Sequence, residues 1–286
     1  MPSHSDLQLT NQDFCIEFWI YPIATKSSQF GCVISKGVSL QIYFRDNSNT
    51  ERMTCYLSNN GSDYNIVSDF NSQNNSVPKH QWSHIALTRT SGTLKWFVNG
   101  VMKTSTSASG TVHSNTSALT IGTYNSGSSY EFVGHVSNVR YTVGESVYSS
   151  NAGFTPTKEP LTLTSQSVTS SNVKLLCCKD KNDETAADKI PTGSITRVNN
   201  AYATAFSPFG DDTTSRASSY ANINYLRHRK AGTVSEGGLF LSGGNYVLQT
   251  ADIIFGPGHI TTGKYIWEID NYNSGNGTST MYLGIN

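Results

Sequence analysis

The stretch Trp82–Gly100, WSHIALTRTSGTLKWFVNG, decides the fold of this chain. Ile85 and Leu87 in its first half, and Leu94, Trp96 and Val98 in its second, alternate with polar or small residues. That is the period of strands with one buried face. Ser91-Gly92 marks a turn between the halves, so the stretch reads as a β-hairpin. Asn99-Gly100 ends the second strand in a turn of the kind that needs positive φ.

Working outward, further apolar patterns flank the hairpin in order. FCIEFWIYP (14–22) alternates around Glu17, and short strands are expected at 31–36, 40–44, 53–57 and 65–70, separated by Asn, Asp, Ser and Gly. LTIGTY (119–124) and FVGHVSNVR (132–140) follow, and VKLLCC (173–178) comes after a Ser/Thr-rich stretch. No sustained helical period occurs, and strands about every ten residues are the signature of a two-sheet sandwich. The expectation is therefore an all-β chain whose first domain is a jelly-roll sandwich. Trp19, Trp82 and Trp96 are each expected in its core.

The pattern W-x-H-I-A-L-x-R, turn, L-x-W-F-V-N-G, with the flanking strands at 14–22, 119–124 and 132–140, resembles the laminin-G-like domains of the concanavalin A-like lectin/glucanase type. Ser137–Arg140, Gly144, Tyr148 and Phe154–Pro156 are spaced as in a subfamily of marine and cyanobacterial bacteriophage virion proteins, with one inserted residue near Gly153. That resemblance places the returning strand at 174–178 in the first domain. It implies a virion structural protein, a tail fibre or another exposed attachment component, working as a homo-oligomer beside other tail or capsid proteins. Phage fibres imply a trimer. A capsid decoration protein, an adhesion module of a bacterial surface protein and, behind these, a concanavalin-fold glycoside hydrolase are the alternatives, because this fold serves all of them.

Composition narrows the partners. Lys plus Arg and Asp plus Glu each total 20, so the formal charge is zero and no basic footprint for nucleic acid appears. Charged residues make up 14%, below the usual quarter or so, while Ser, Thr, Asn, Gly and Tyr abound. No apolar run approaches the about 20 residues of a membrane helix, and MPSHSDLQLTNQ lacks the basic and apolar regions of a secretory signal. The five cysteines at 15, 32, 55, 177 and 178 form no C-x-x-C pair and read as free thiols, which fits assembly in a reducing host cytoplasm before incorporation into a virion.

After the first domain, 1–178, a polar connection is expected over 179–222, containing the charged run KDKNDETAADK (179–189). Asp180, Asn182 and Asp183 have neither the Gly nor the Glu that a calcium loop of the EF-hand type needs, so no cofactor is assigned and calcium has no motif. From 223 to 286 a second β pattern begins. TTGKYIWEID (261–270) and MYLGI (281–285) resemble the opening of SPRY domains, which implies a second sandwich, incomplete at Asn286.

No catalytic set emerges. Glu268 and Asp270 match the first half of the E-x-D-x-x-E signature of concanavalin-fold glucanases, but the third position is Asn273, and an amide cannot exchange a proton at neutral pH. The histidines share no metal-ligand spacing. Glycan recognition is expected instead in loops at one end of the first sandwich. Tyr64, Tyr124 and Tyr130 offer flat amphipathic rings there, and Asn59, Asn60 and Asn74 offer amides.

Overall fold

A computed structural model describes residues 1–25, 30–47, 50–124, 130–204 and 206–209 in full, and beyond them the backbone of four short strands. The chain divides into two units, Met1–Phe209 and Gly210–Asn286.

In the first unit the expected hairpin is formed by β6 (Ser83–Thr90) and β7 (Thr93–Val98), in antiparallel register with Leu87 opposite Trp96. Ser91 and Gly92 both have positive φ, the two-residue turn whose twist matches the strands it joins. Asn99 and Gly100 repeat the device and launch β8 (Val101–Ser107), a Thr/Ser-rich strand with no apolar phase to announce it.

The remaining strands are β1 (Phe14–Thr25), β2 (Phe30–Lys36), β3 (Leu40–Arg45), β4 (Arg52–Leu57), β5 (Val67–Asn71), β9 (Leu119–Ile121), β10 (Phe132–Val143), β11 (Val173–Cys177) and β12 (Ala187–Lys189). They form two antiparallel sheets, a seven-stranded one in the order β12-β11-β10-β1-β6-β7-β8 and a five-stranded one in the order β5-β4-β3-β2-β9. The first unit is thus the all-β jelly-roll sandwich the alternation implies, and the strand at 173–177 closes it. Within the stretch read as a connection, β12 pairs with β11, and the rings of Phe206 and Phe209 pack on the large sheet.

The core lies between the sheets. Phe14, Ile16, Phe18 and Ile20 of β1 point into it with Ile85, Leu87, Leu94 and Trp96, and meet Leu40, Ile42, Phe44, Met53 and Leu57 of the small sheet. The other phase of β1, namely Cys15, Glu17, Trp19 and Tyr21, faces away, and there the expectation for the tryptophans needs correction. Trp96 is fully buried between the sheets. Trp19 and Trp82 are only half-buried on the outer face, against His84 and Phe209 in one case and Tyr21, His135 and Phe206 in the other. Trp19 shares the phase of Glu17, and Trp82 precedes the strand altogether, so neither is in the apolar phase.

That outer face is nonetheless largely covered over β1, β6 and the second half of β10. The segment 144–168 crosses it as a strap, with Tyr148 and Phe154 packed on Cys15, Ala86 and Phe97, and Leu161 and Val168 packed on Val173 and Leu176. Burial on both faces explains why FCIEFWIYP reads as nearly continuous apolar sequence. All five cysteines are unpaired, and four of them are buried.

Of the second unit, strands at Asn222–Ile223 and Ile253–Ile254 pair with each other, as do Thr233–Ser235 and Phe240–Ser242. The SPRY-like runs at 261–270 and 281–285, and Glu268, Asp270 and Asn273, lie outside the described residues. Among the described residues no helix is long and apolar enough to cross a membrane.

Candidate functional site

Two constellations stand out, one sealed and one open. The sealed one lies under the strap. Glu17, on the outward phase of β1, is 0% exposed and so is Arg140 opposite it on β10. Arg140 donates from Nε to Glu17 Oε1 at 2.8 Å, with its Nη2 2.6 Å from the same oxygen. The hydroxyl of Tyr148 donates to Oε2 at 2.7 Å, and His84 approaches that oxygen through Nε2 at 3.2 Å. Burial by itself would raise the pKa of Glu17. The hydrogen bond from His84, the charge of Arg140 and the Tyr148 hydroxyl outweigh it and hold the carboxyl below its ordinary value.

Arg140 also donates to the carbonyls of Thr162 and Ser165 and to the Ser165 hydroxyl, which ties the strap to the sheet. Next to it Asn138 sits at positive φ in a bulge where β10 slips against β1, and its side-chain oxygen accepts from the N–H of Leu161 at 2.8 Å. Phe154 stacks on Tyr148 with ring centres 3.5 Å apart, and its N–H donates to Gly100 at the hairpin tip. A Cβ at Gly100 would run into the Phe154 carbonyl. The residues of the S-N-V-R, Tyr and F-T-P pattern therefore fasten one crossing segment. A carboxylate with perturbed acidity is a common mark of chemistry, but here its partners are structural and it is shut from solvent.

The open constellation is on the outer face of the small sheet. Along β3 the outward phase is Gln41, Tyr43 and Arg45, and along β4 it is Arg52, Thr54 and Tyr56; register sets Tyr56 opposite Gln41 and Arg52 opposite Arg45. Phe30 of β2 stands opposite Arg45. Tyr43 is the buried floor of the cluster, with Phe30, Tyr56 and Tyr130 around it at ring-centre distances of 5.5, 5.9 and 6.0 Å. Tyr64 leans on Tyr56 at 4.9 Å, and Tyr124 meets Tyr130 at 6.3 Å. The Tyr43 hydroxyl donates to Gln41 Oε1 at 2.7 Å, and Gln41 Nε2 donates to the Gly37 carbonyl, so the floor is fixed before any ligand arrives. Burial raises the pKa of Tyr56 and Tyr64, which keeps their hydroxyls neutral hydrogen-bonding groups.

The structure thus brings together Tyr64, Tyr124 and Tyr130 of the expected residues, on a sheet face rather than at a loop tip alone. Asn59 and Asn60 are exposed on the loop that carries Tyr64. Asn59 is engaged with Asn65, and the Asn60 side-chain oxygen accepts from the N–H groups of Ser62 and Asp63. Asn59 also lines a shallow cleft with residues 111–114. Asn74 stands apart from the loop and accepts from Arg52. Tyr43, Tyr56, Phe30 and Gln41 were not anticipated. Their signal is an aromatic ring in the polar phase of a strand, LQIYFR and RMTCYL, where burial in the sandwich cannot account for it.

Residues 2–142 match the family model described as the concanavalin A-like lectin/glucanases superfamily, which supports a laminin-G-like domain over that stretch. Among solved structures, the chain is similar to a putative carbohydrate binding protein from Bacteroides ovatus, at 12% identity and a TM-score of 0.47, covering 68% of this chain and 56% of that one. It is also similar to domain 4 of an extracellular GH43 arabinanase from Geobacillus stearothermophilus in complex with arabinotriose, at 17% identity and a TM-score of 0.35, covering 49% and 64%. A native heptameric SAP-like pentraxin from Limulus polyphemus matches at 12% identity and a TM-score of 0.34, covering 47% and 65%. The chain therefore spans less than two thirds of each of these structures. No curated protein matches the sequence.

Proposed function

We propose that this chain is a non-enzymatic glycan-binding component of a bacteriophage virion, displayed on a tail fibre or another attachment part, and that the tyrosine face of its first domain is the sugar platform. The observation that carries the binding reading is the cluster of Tyr56, Tyr64, Tyr124 and Tyr130 around the fixed Tyr43. Sugar rings present C–H faces that pack on aromatic rings and hydroxyls that pair with tyrosine O–H and amides, so a half-exposed tyrosine surface suits them. The outer face of the large sheet is partly covered, over β1, β6 and β10 by the strap and beside them by Phe206 and Phe209 packed on Trp19, Tyr21 and Trp82.

The lectin family matched by residues 2–142 is consistent with this reading. The virion role rests on the resemblance of the strap sequence to phage virion proteins. Repeated copies in a homo-oligomer, a trimer if it follows phage fibres, would let weak single contacts add up on a host surface.

The test uses the 286-residue chain on a glycan array, followed by titration of any sugar retained. Tyr64→Ala and Tyr124→Ala should each weaken binding about tenfold, the loss of roughly 1.4 kcal/mol expected of a well-packed aromatic contact. Thermal midpoints should stay near that of the parent, since both rings are half-exposed. Native affinity in both variants would remove the platform. Cryo-electron microscopy of the intact particle tests the virion role, and density on a bacterial surface layer instead would overturn it.

A further inference from the structure

We infer that the tyrosine face takes an anionic glycan, with its carboxylate or sulfate held by Arg45 and Arg52 at the margin of the rings; this rests on the platform reading above. Both arginines occupy the outward phase of the small sheet, directly opposite each other in register. They are joined to the rings, not merely near them. The Arg45 guanidinium lies 4.3 Å over the centre of Phe30, and Phe30 contacts both Tyr43 and Tyr130. On the other side, Arg52 shares the outward phase of β4 with Tyr56.

Around the two guanidinium groups themselves cations outnumber anions, although the strand ends taken together, with Arg45, Arg52 and Lys79 against Asp46, Glu51 and Asp69, are balanced. Asp69 is the carboxylate both arginines share, 2.8 Å from Arg45 and 3.8 Å from Arg52, so two cations face one anion. Asp69 holds this place at positive φ, a conformation non-glycine residues adopt at a cost. Other acids near the small sheet are engaged elsewhere. Asp46 and Glu51 pair with Lys79, and Glu131 accepts from Asn199.

Donors are also in surplus. A guanidinium carries five N–H groups in a planar fork. Among the described residues Arg45 spends one on Asp69, and Arg52 spends one on Asn74 besides its longer approach to Asp69. The Nε of each is buried there without a hydrogen-bond partner, so the spare donors a ligand can reach are those of the terminal nitrogens. Two forks with spare donors beside an aromatic floor match the acceptor oxygens of a uronate carboxylate or a sulfate ester, whose charge strengthens those hydrogen bonds beyond what a neutral sugar hydroxyl gives. Stacking on Phe30 and the ion pair to Asp69 hold the Arg45 fork in place before binding, which lowers the ordering cost.

The experiment compares an oligogalacturonate with the matched neutral oligogalactoside, and a sulfated with an unsulfated disaccharide, on the 286-residue chain by titration calorimetry. The acidic member of a pair should bind at least tenfold more tightly at low salt, and the difference should shrink steeply by 0.5 M NaCl. Arg45→Gln with Arg52→Gln should abolish that preference, read as the ratio of acidic to neutral affinity within the variant. Arg45→Lys with Arg52→Lys, which keeps charge but not the fork, should recover only part of it. Equal binding of acidic and neutral members, independent of salt and of these substitutions but lost in Tyr64→Ala, would overturn the anionic assignment and leave the platform standing. Binding indifferent to Tyr64 and Tyr124 would overturn both. The salt dependence of the native chain decides even if the glutamine variant fails to fold.

Discussion

Replacing Arg140 with methionine is expected to cost about 3–5 kcal/mol, the penalty for leaving one member of a buried ion pair without its partner. Glu17 would keep only His84 and the Tyr148 hydroxyl, and the carbonyls of Thr162 and Ser165 would lose their shared donor. A domain is stable by only about 5–15 kcal/mol, so much of the margin would go. In urea the midpoint should fall sharply, and the strap at 144–168 should become the first site of limited proteolysis. Combining Arg140→Met with Glu17→Gln should recover much of the loss, since desolvating a pair costs nearly as much as its attraction returns. A single variant as stable as the parent would show that the cluster is not what fastens the strap.

The same cluster sets a pH dependence whose sign follows from Glu17. Its folded-state value is held below the ordinary 4.5, so the unfolded chain binds the proton more readily. The stabilisation is present above about 4.5 and is lost as pH falls through the lower folded value. Acid unfolding monitored by circular dichroism should therefore steepen below pH about 4.5, and Glu17→Gln should flatten that limb.

How much of this was legible differs by residue. Strand alternation revealed the inner faces of β1, β3, β4, β6 and β7 because one side of each meets the core whatever the rest of the chain does. It failed for Trp19, because a strand buried on both faces has no polar phase to set the register by eye, and the single marker, Glu17, was itself buried. It failed for β8, whose Thr and Ser carry no apolar signal. The partnership of Glu17 with Arg140 spans 123 residues, and no local spacing reports a contact closed by the register of β1 against β10. The tyrosine platform was half visible. Tyr64, Tyr124 and Tyr130 are loop residues of a kind that attracts attention, whereas Tyr43 and Tyr56 become neighbours only when β3 and β4 pair.

Trp96→Ala should be the more damaging of two tryptophan truncations, and comparison with Trp19→Ala tests which face of the large sheet is the core. Trp96 is 0% exposed, stacks near parallel to Phe70 at 6.3 Å, and donates from Nε1 to the Phe70 carbonyl at 3.0 Å. Truncation removes the largest side chain between the sheets, opens a cavity and leaves that carbonyl unpaired. A loss of about 3–5 kcal/mol is expected, with the protein appearing in the insoluble fraction. Trp96→Phe should retain part of the packing and some soluble protein, without the hydrogen bond. Trp19 is half-exposed and rests on His84 and Phe209, so Trp19→Ala should remain soluble and lose a smaller amount, measurable by urea unfolding. If Trp19→Ala proved the more destabilising of the two, the phase assigned to β1 would be wrong, and with it the placement of Glu17 on the outer face under the strap.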